Sequence, residues 1–188
     1  MPATEPLRDP DPPGEATAQR RPATEAEARA LASSLRLRIL RLCLHQPLTN
    51  KEIAERLGRD PASVLHHVRR LVDTGFLDAL PVRRGARGAR ERPYRATGKS
   101  WTLQVADAGS AARELDAMLQ AFLGELADAG GELVDAARLG LRLSPADREE
   151  LSERISALLD EYAARPPDPD GRWWSLFFAM HRDTRGPN

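Results

Sequence analysis

The side chains best suited to recognition chemistry lie between residues 60 and 75. Ser63 and Arg69 can hydrogen-bond to base edges, and Ala62 is small enough to touch a thymine methyl group. This combination of small, imidazole and guanidinium groups suits contact with the major groove of DNA. Six side chains are therefore candidates for DNA contact: Pro61, Ala62, Ser63, His66, Arg69 and Arg70.

A helix is predicted to position these side chains. Asp60 is an acceptor placed to cap free backbone N–H groups, and Pro61 stands where a helix tolerates proline best. Gly75 supplies the left-handed conformation that commonly ends a helix. One apolar stripe recurs at helical spacing: Val64, Leu65, Val68, Leu71 and Val72. The remaining arc, which in many helices is only a solvated face, carries Ser63, His66, Arg69, Arg70 and Asp73.

The neighbouring segments favour a larger motif. Thr49 and Glu52 form a capping box that opens a preceding helix, and Gly58 closes it. Two short helices separated by a turn of about three residues make a helix-turn-helix. Residues 76–82 are apolar enough for a strand, and residues 94–97 can return beside it. The sequence therefore predicts a helix-turn-helix followed by a β-hairpin wing.

The loop of this wing is rich in arginine and glycine. Arginines on a loop of low bulk can follow phosphates or enter a narrow minor groove, whereas the alternative is a merely soluble surface loop. Five arginines are candidates for DNA contact: Arg83, Arg84, Arg87, Arg90 and Arg92.

Three separated motifs resemble those of ArsR-like winged helix-turn-helix regulators. They are Ala30 to Ala32 with residues 35–42, residues 64–71 with Gly75 to Leu77, and residues 90–97. The resemblance covers about residues 24–98 and implies a winged helix-turn-helix fold and DNA binding. In metal-sensing members a thiolate pair opens the first helix of the motif, where this chain has Thr49 and Lys51. Neither is a soft ligand, so the resemblance implies no metal site there.

Composition sets the class of the protein. The chain is 41% apolar and 30% charged, as in ordinary soluble globular proteins. A single cysteine excludes an internal disulfide framework and fits a reducing cytoplasm. The sequence contains no uncharged apolar run that approaches a membrane span of about 20 residues. We therefore expect a cytoplasmic protein with no membrane partner.

The net charge of zero conceals an asymmetry. Residues 24–104 carry 16 Lys and Arg against eight acids, a net charge of +8. Residues 105–188 carry nine Arg against 16 acids, and residues 1–23 three Arg against four acids. A basic half joined to an acidic half is expected if one half faces phosphate.

The predicted fold class is α+β. Residues 1–23 contain six prolines and are expected to be a disordered tail, and residues 24–98 form the winged helix-turn-helix domain. Residues 99–181 are expected to form a smaller β-α-β-α-β region for dimerisation or effector binding, with residues 182–188 as a tail. Its strands are predicted at 100–105, 138–143 and 173–181, and its helices at 110–129 and from 145 to about 165.

The remaining reactive side chains suggest no catalytic or cofactor site. Cys43 and His45 project in different directions from one helix, which disfavours a shared metal ion. We predict no metal and no cofactor, and we identify no nucleophile or carboxylate constellation. The aromatic residues Trp173, Trp174, Phe177 and Phe178 mostly suggest a packed core. The alternative is a pocket for a small apolar effector.

Two functions of different classes compete. The first is a sequence-specific transcription regulator, in the simplest case a repressor, that binds double-stranded DNA as a homodimer on a palindromic site. Helix 110–129, together with the first helix, is the candidate dimer surface. The alternative is a protein-binding winged-helix module whose arginines meet an acidic protein. An enzymatic C-terminal half is a third and weaker hypothesis.

Overall fold

The computed structural model describes residues 20–85, 88–104, 108–130, 135–137 and 139–182. Its helices are α1 (Glu25–Leu31), α2 (Ser34–His45), α3 (Asn50–Leu57), α4 (Pro61–Asp73), α5 (Ala108–Asp128) and α6 (Pro145–Ala163). Its strands are β1 (Arg21–Pro22), β2 (Leu48–Thr49), β3 (Leu77–Ala79), β4 (Arg83–Arg84), β5 (Arg90–Glu91), β6 (Pro93–Ala96) and β7 (Leu103–Gln104). This mixture of helices and small sheets confirms the predicted α+β class.

Contacts along the chain define two units, one from Arg20 to Asp135 and another that contains the chain from Ala136 onward. In the first unit, α3 packs on α4, and both α1 and α5 pack on α2. Its core is apolar and collects side chains from the four short helices and the strand that follows them. The largest fully buried side chains are Phe76, Leu31, Ile39, Ile53, Leu71, Leu77, Val64, Val68 and Cys43.

Three antiparallel strands in the order β2-β6-β3 support the wing. Leu77 pairs with Ala96 and Ala79 pairs with Tyr94, while Leu48 pairs with Tyr94 on the other side of β6. Farther out, β4 pairs with β5 in a separate two-stranded ribbon. The predicted hairpin is therefore present, and its arginine-rich loop contains additional strand pairing.

The first unit extends beyond the predicted boundary at residue 98. Strand β1 pairs in parallel with β7, so Arg21 and Pro22 are ordered although they belong to the predicted tail. Helix α5 buries Ala117 and Ala121 and is joined to α2 by ion pairs of Arg38 with Asp128 and of Arg41 with Glu125. Residues 1–19 and 183–188 of the predicted tails lie outside the described residues.

Two of the three strands predicted after residue 99 do not form in the described part of the chain. Residues 139–143 and 173–181 have no regular secondary structure, and Leu139 and Trp174 are 68% and 67% exposed. The first predicted strand is reduced to β7, preceded by a turn of 3-10 helix at Lys99–Thr102. Alternating apolar residues form a strand only beside a partner strand, and neither segment has one among the described residues.

The two long helices were predicted closely. The predicted helix 110–129 occurs at Ala108–Asp128, and Ser144 caps α6 through a capping box with Asp147. None of the described side chains of α6 is buried. The described part of the second unit thus contains helix α6 and a largely exposed aromatic segment, rather than part of a sheet covered by helices.

Candidate nucleic-acid interface

Local signals in the sequence fix both ends of α4. The Asp60 carboxylate accepts a hydrogen bond from the Ser63 backbone N–H at 2.9 Å, and Pro61 occupies the first turn. Gly75 follows the helix with a φ of 71°, a left-handed conformation that glycine adopts without a steric penalty. The predicted N-cap, proline and terminating glycine are confirmed.

The inner face of α4 fixes its rotation about its own axis. Val64, Val68 and Leu71 are each 0% exposed, while Leu65 and Val72 are half-buried at the edges of the stripe. Because these side chains are held in the core, the opposite arc must face solvent. Five predicted contact residues lie on that arc and are exposed, namely Ala62, Ser63, His66, Arg69 and Arg70. Pro61 is exposed at the first turn, in line with the buried stripe.

The preceding helix α3 is capped as predicted. Thr49 Oγ1 accepts from the Glu52 N–H at 3.2 Å, and the Glu52 carboxylate accepts from the Thr49 N–H at 2.7 Å. Gly58 adopts a φ of 60° at the end of the helix. The side-chain amide of Asn50 also donates to the Pro61 carbonyl at 2.8 Å, which ties the start of α3 to the start of α4.

Asn50 and two exposed cations near it were not predicted as site residues. Lys51 lies in the first turn of α3 with its side chain 77% exposed, and the exposed Arg59 lies in the turn between the helices. The free N–H groups at the start of a helix already favour anions. The capping box marks the start of α3 in the sequence, and this signal could have identified Asn50 and Lys51 as candidates for anion contact.

The wing arginines occupy different environments. Arg83 lies 3.4 Å from a Glu52 carboxylate oxygen and 3.8 Å from one of Glu91, so its charge is already partly compensated. Arg84, Arg90 and Arg92 are exposed. Arg87 lies outside the described residues.

Arg84 and Arg90 are cross-strand partners in the β4–β5 ribbon. Like charges directly opposite each other destabilise a strand pair. An anion that binds between or beside the two guanidinium groups would remove this repulsion. Two guanidinium groups at one position of the ribbon can therefore bind an anion such as phosphate.

The Cys43 side chain is buried and the His67 side chain is partly exposed. Burial raises the pKa of the Cys43 thiol to about 12, so it stays protonated at neutral pH. Burial, together with the positive charges of Arg36 and His66, lowers the pKa of His67. His66 is exposed whereas His67 is half-buried, as predicted from the helical stripe. The buried, protonated Cys43 thiol does not have the environment of a nucleophile.

Within the described residues there is no group of three or more His, Cys, Asp or Glu side chains placed to hold a metal ion. A shallow cleft of about 500 Å³ lies where the start of α2 faces α5, beside Ser33, Ser34 and Arg113. The aromatic side chains at 173–178 do not line this cleft. None of the helices in the described ranges is long and apolar enough to cross a bilayer.

Residues 31–78 match the family model of a helix-turn-helix domain. This segment runs from the end of α1 to β3 and includes both helices of the motif. With the β3–β6 hairpin after it, the chain contains a winged helix-turn-helix. No curated protein matches the chain.

Several solved structures resemble the chain at low similarity. ZitR of Lactococcus lactis, solved in complex with DNA, is 22% identical over 69% of this chain and 74% of its own, with a TM-score of 0.31. The PcaV transcriptional regulator of Streptomyces coelicolor is 18% identical over 69% and 76%, with a TM-score of 0.34. The adhesin competence repressor of Streptococcus pyogenes is 19% identical over 69% and 79%, with a TM-score of 0.30. The assignment of the fold rests on the elements described above, because these scores are low.

Proposed function

We propose that this protein is a sequence-specific DNA-binding transcription regulator, in the simplest case a repressor, which binds a palindromic operator as a homodimer. The observation that carries the proposal is the rigid presentation of one exposed face of α4. Its apolar side is fixed in the core, and its outer side offers Ser63 and Arg69 to base edges. The same face includes Ala62 and His66.

The wing supports DNA rather than protein as the partner. Arg84 and Arg90 oppose each other across the ribbon, and residues 24–104 carry a net charge of +8. Basic side chains that neutralise phosphates supply most of the sequence-independent affinity of DNA-binding proteins. In this proposal the wing, with Arg92, contacts the phosphate backbone or the minor groove, while α4 lies in the major groove.

The outer face of α5 supports the homodimer. Leu115, Met118, Leu119 and Leu123 are between 39% and 48% exposed and recur at helical spacing. Contiguous apolar surface of this kind marks protein–protein contact sites. Helix α1 was proposed as part of the same surface, yet it packs against α5 and α2 of its own chain. We therefore propose that α5 supplies most of the contact between the two copies.

The proposal also includes the regulator family to which the protein belongs and the effector to which it responds. The motifs at 30–42, 64–77 and 90–97 support an ArsR-like regulator without the thiolate pair of its metal sensors. Response to a small apolar effector is supported only by the exposed aromatic side chains at 173–178. Binding there would quench or shift tryptophan fluorescence, and a panel of apolar metabolites that leaves the spectrum unchanged would contradict this part.

The proposal is tested by electrophoretic shift of genomic DNA fragments at several salt concentrations. We expect a discrete complex on a small number of fragments, and footprinting of those fragments should reveal a two-fold symmetric protected site. Absence of any complex at low salt, together with capture of an acidic protein that the Arg84→Ala/Arg90→Ala variant no longer binds, would favour the protein-binding module instead.

A further inference from the structure

Lys99 is enclosed beside the end of the recognition helix. Its ammonium group donates to the Thr74 carbonyl at 2.6 Å and lies 2.7 Å from a Glu27 carboxylate oxygen. The same nitrogen lies 5.1 Å from the centroid of the buried Phe76 ring, within the range of a cation–π contact. Its side chain is only 25% exposed. The positive charge of Lys99 is therefore already paired within the protein.

The contacts of Lys99 belong to a wider set at the exit of α4. Thr97 Oγ1 donates to the Gly75 carbonyl at 2.9 Å, and the Thr97 N–H donates to the Phe76 carbonyl at 3.1 Å. With Lys99 on Thr74, three successive carbonyls accept hydrogen bonds from residues 97–99. The last carbonyls of a helix lack partners within it and favour a nearby cation. The segment after the wing thus fixes the end of the recognition helix.

The carboxylate that holds Lys99 is itself fixed. Glu27 lies in α1 with its side chain 7% exposed, and it accepts from Arg21 Nη2 at 2.7 Å and from the Thr24 N–H at 2.8 Å. These donors, with Arg21 first, hold the pKa of Glu27 well below its usual range. Arg21 belongs to β1, so the contacts extend from the N-terminal strand through α1 to α4.

The residue types fit this arrangement. Lys51 and Lys99 are the only two lysines of an otherwise arginine-rich chain. The N–H groups of a compact ammonium are not confined to one plane, whereas those of a guanidinium are. A Cβ on Gly75 would lie 3.3 Å from the Lys99 ammonium nitrogen, at a φ of 71° that side chains rarely adopt. Glycine at 75 thus serves both the turn and the approach of Lys99.

We propose that Lys99 is a positioning residue for DNA recognition. It makes no contact with DNA. It fixes the exit of α4 against Glu27 of α1 and thereby sets the direction in which the α4 face is presented. This role rests on the proposed function, but its structural part is testable on the free protein.

The test is backbone hydrogen exchange of the full-length free protein, followed by operator binding. Lys99→Met keeps an apolar stem of similar length and removes the donors. We expect the amides of Thr74, Gly75 and Phe76 to exchange roughly tenfold faster, with α2 and α3 changed far less. Operator affinity should fall by about tenfold with an unchanged slope of log K against log[salt], since no phosphate contact is lost.

Two further variants separate positioning from stability. Lys51→Met removes the other lysine, which is exposed, and should leave exchange at Thr74 to Phe76 unchanged. Glu27→Gln/Lys99→Met also removes the Glu27 charge, which in Lys99→Met keeps only Arg21 of its two cationic partners, so any loss of Tm caused by that charge should be reversed. Its exchange at Thr74 to Phe76 should nevertheless stay fast, because the Thr74 carbonyl still lacks its donor.

Three results would overturn the proposal. The first is wild-type protection of Thr74 to Phe76 in Lys99→Met, and the second is a uniform loss of protection that the double variant fully reverses. The third is a shallower salt slope for Lys99→Met, which would make Lys99 a phosphate contact. If the wild type binds no DNA, the proposed function fails, while the exchange measurements still decide whether Lys99 fixes the end of α4.

Discussion

At the scale of single residues, chemically similar side chains differ in what they are free to do. Arg83 has two acidic neighbours, whereas Arg69 is exposed on the outer arc of α4. The sequence predicted both as DNA contacts, because spacing places a side chain on a face but does not show which acids will meet it. Glu52 belongs to helix α3 and approaches Arg83 of strand β4 from a position 31 residues away along the chain.

Arg69 is expected to read a base. If it donates to a guanine, Arg69→Ala should cost about 1–3 kcal/mol at one or two operator positions and relax specificity there. Binding to a library of operator variants measures this directly. A uniform loss of affinity across the library, with a shallower salt slope, would contradict base reading and make Arg69 a phosphate contact.

Cys43 is expected to be inert in the native protein. It is 0% exposed, and burial raises its pKa to about 12, so little of the reactive thiolate exists at neutral pH. An alkylating reagent should label it only after denaturant is added. Zinc or arsenite should therefore not release operator DNA, and release that persists in Cys43→Ser would contradict the absence of a metal site.

At the scale of elements, those with strong local signals were predicted best. The Thr49–Glu52 box, the Asp60 cap and the two terminating glycines act within a few residues, so the limits of α3 and α4 follow from the sequence. The strands expected at 138–143 and 173–181 depended on partners elsewhere in the chain. Alternation of apolar residues cannot show whether such a partner exists, and that part of the prediction was wrong.

The outer face of α5 is expected to form the dimer contact. Leu119→Glu introduces a charge into the exposed apolar stripe and should shift the protein from dimer to monomer in sedimentation equilibrium. Gln120→Glu, at an exposed neighbour in the same helix, is the matched control and should remain dimeric. A monomeric wild type at micromolar concentration, or a dimeric Leu119→Glu protein, would remove α5 from the proposed interface.

At the scale of the whole molecule, charge is divided along the chain. Residues 24–104 carry a net +8, and residues 105–188 carry nine Arg against 16 acids. Such a division favours the basic segment over the acidic one as the part that meets phosphate. The charge asymmetry can be counted from the sequence. The pairing of Arg84 with Arg90 across the ribbon is known only from the strand register in the structure.

The salt dependence of DNA binding tests the central claim most directly. We would compare log K against log[salt] for the wild type, for Arg84→Ala/Arg90→Ala, and for Arg154→Ala, an exposed arginine of α6 paired with Glu150. Each lost phosphate contact should flatten the slope by roughly 0.9, so the wing variant should lose about 1.8 and Arg154→Ala nothing. A wild type that binds no DNA, or a wing variant with the wild-type slope, would contradict the account.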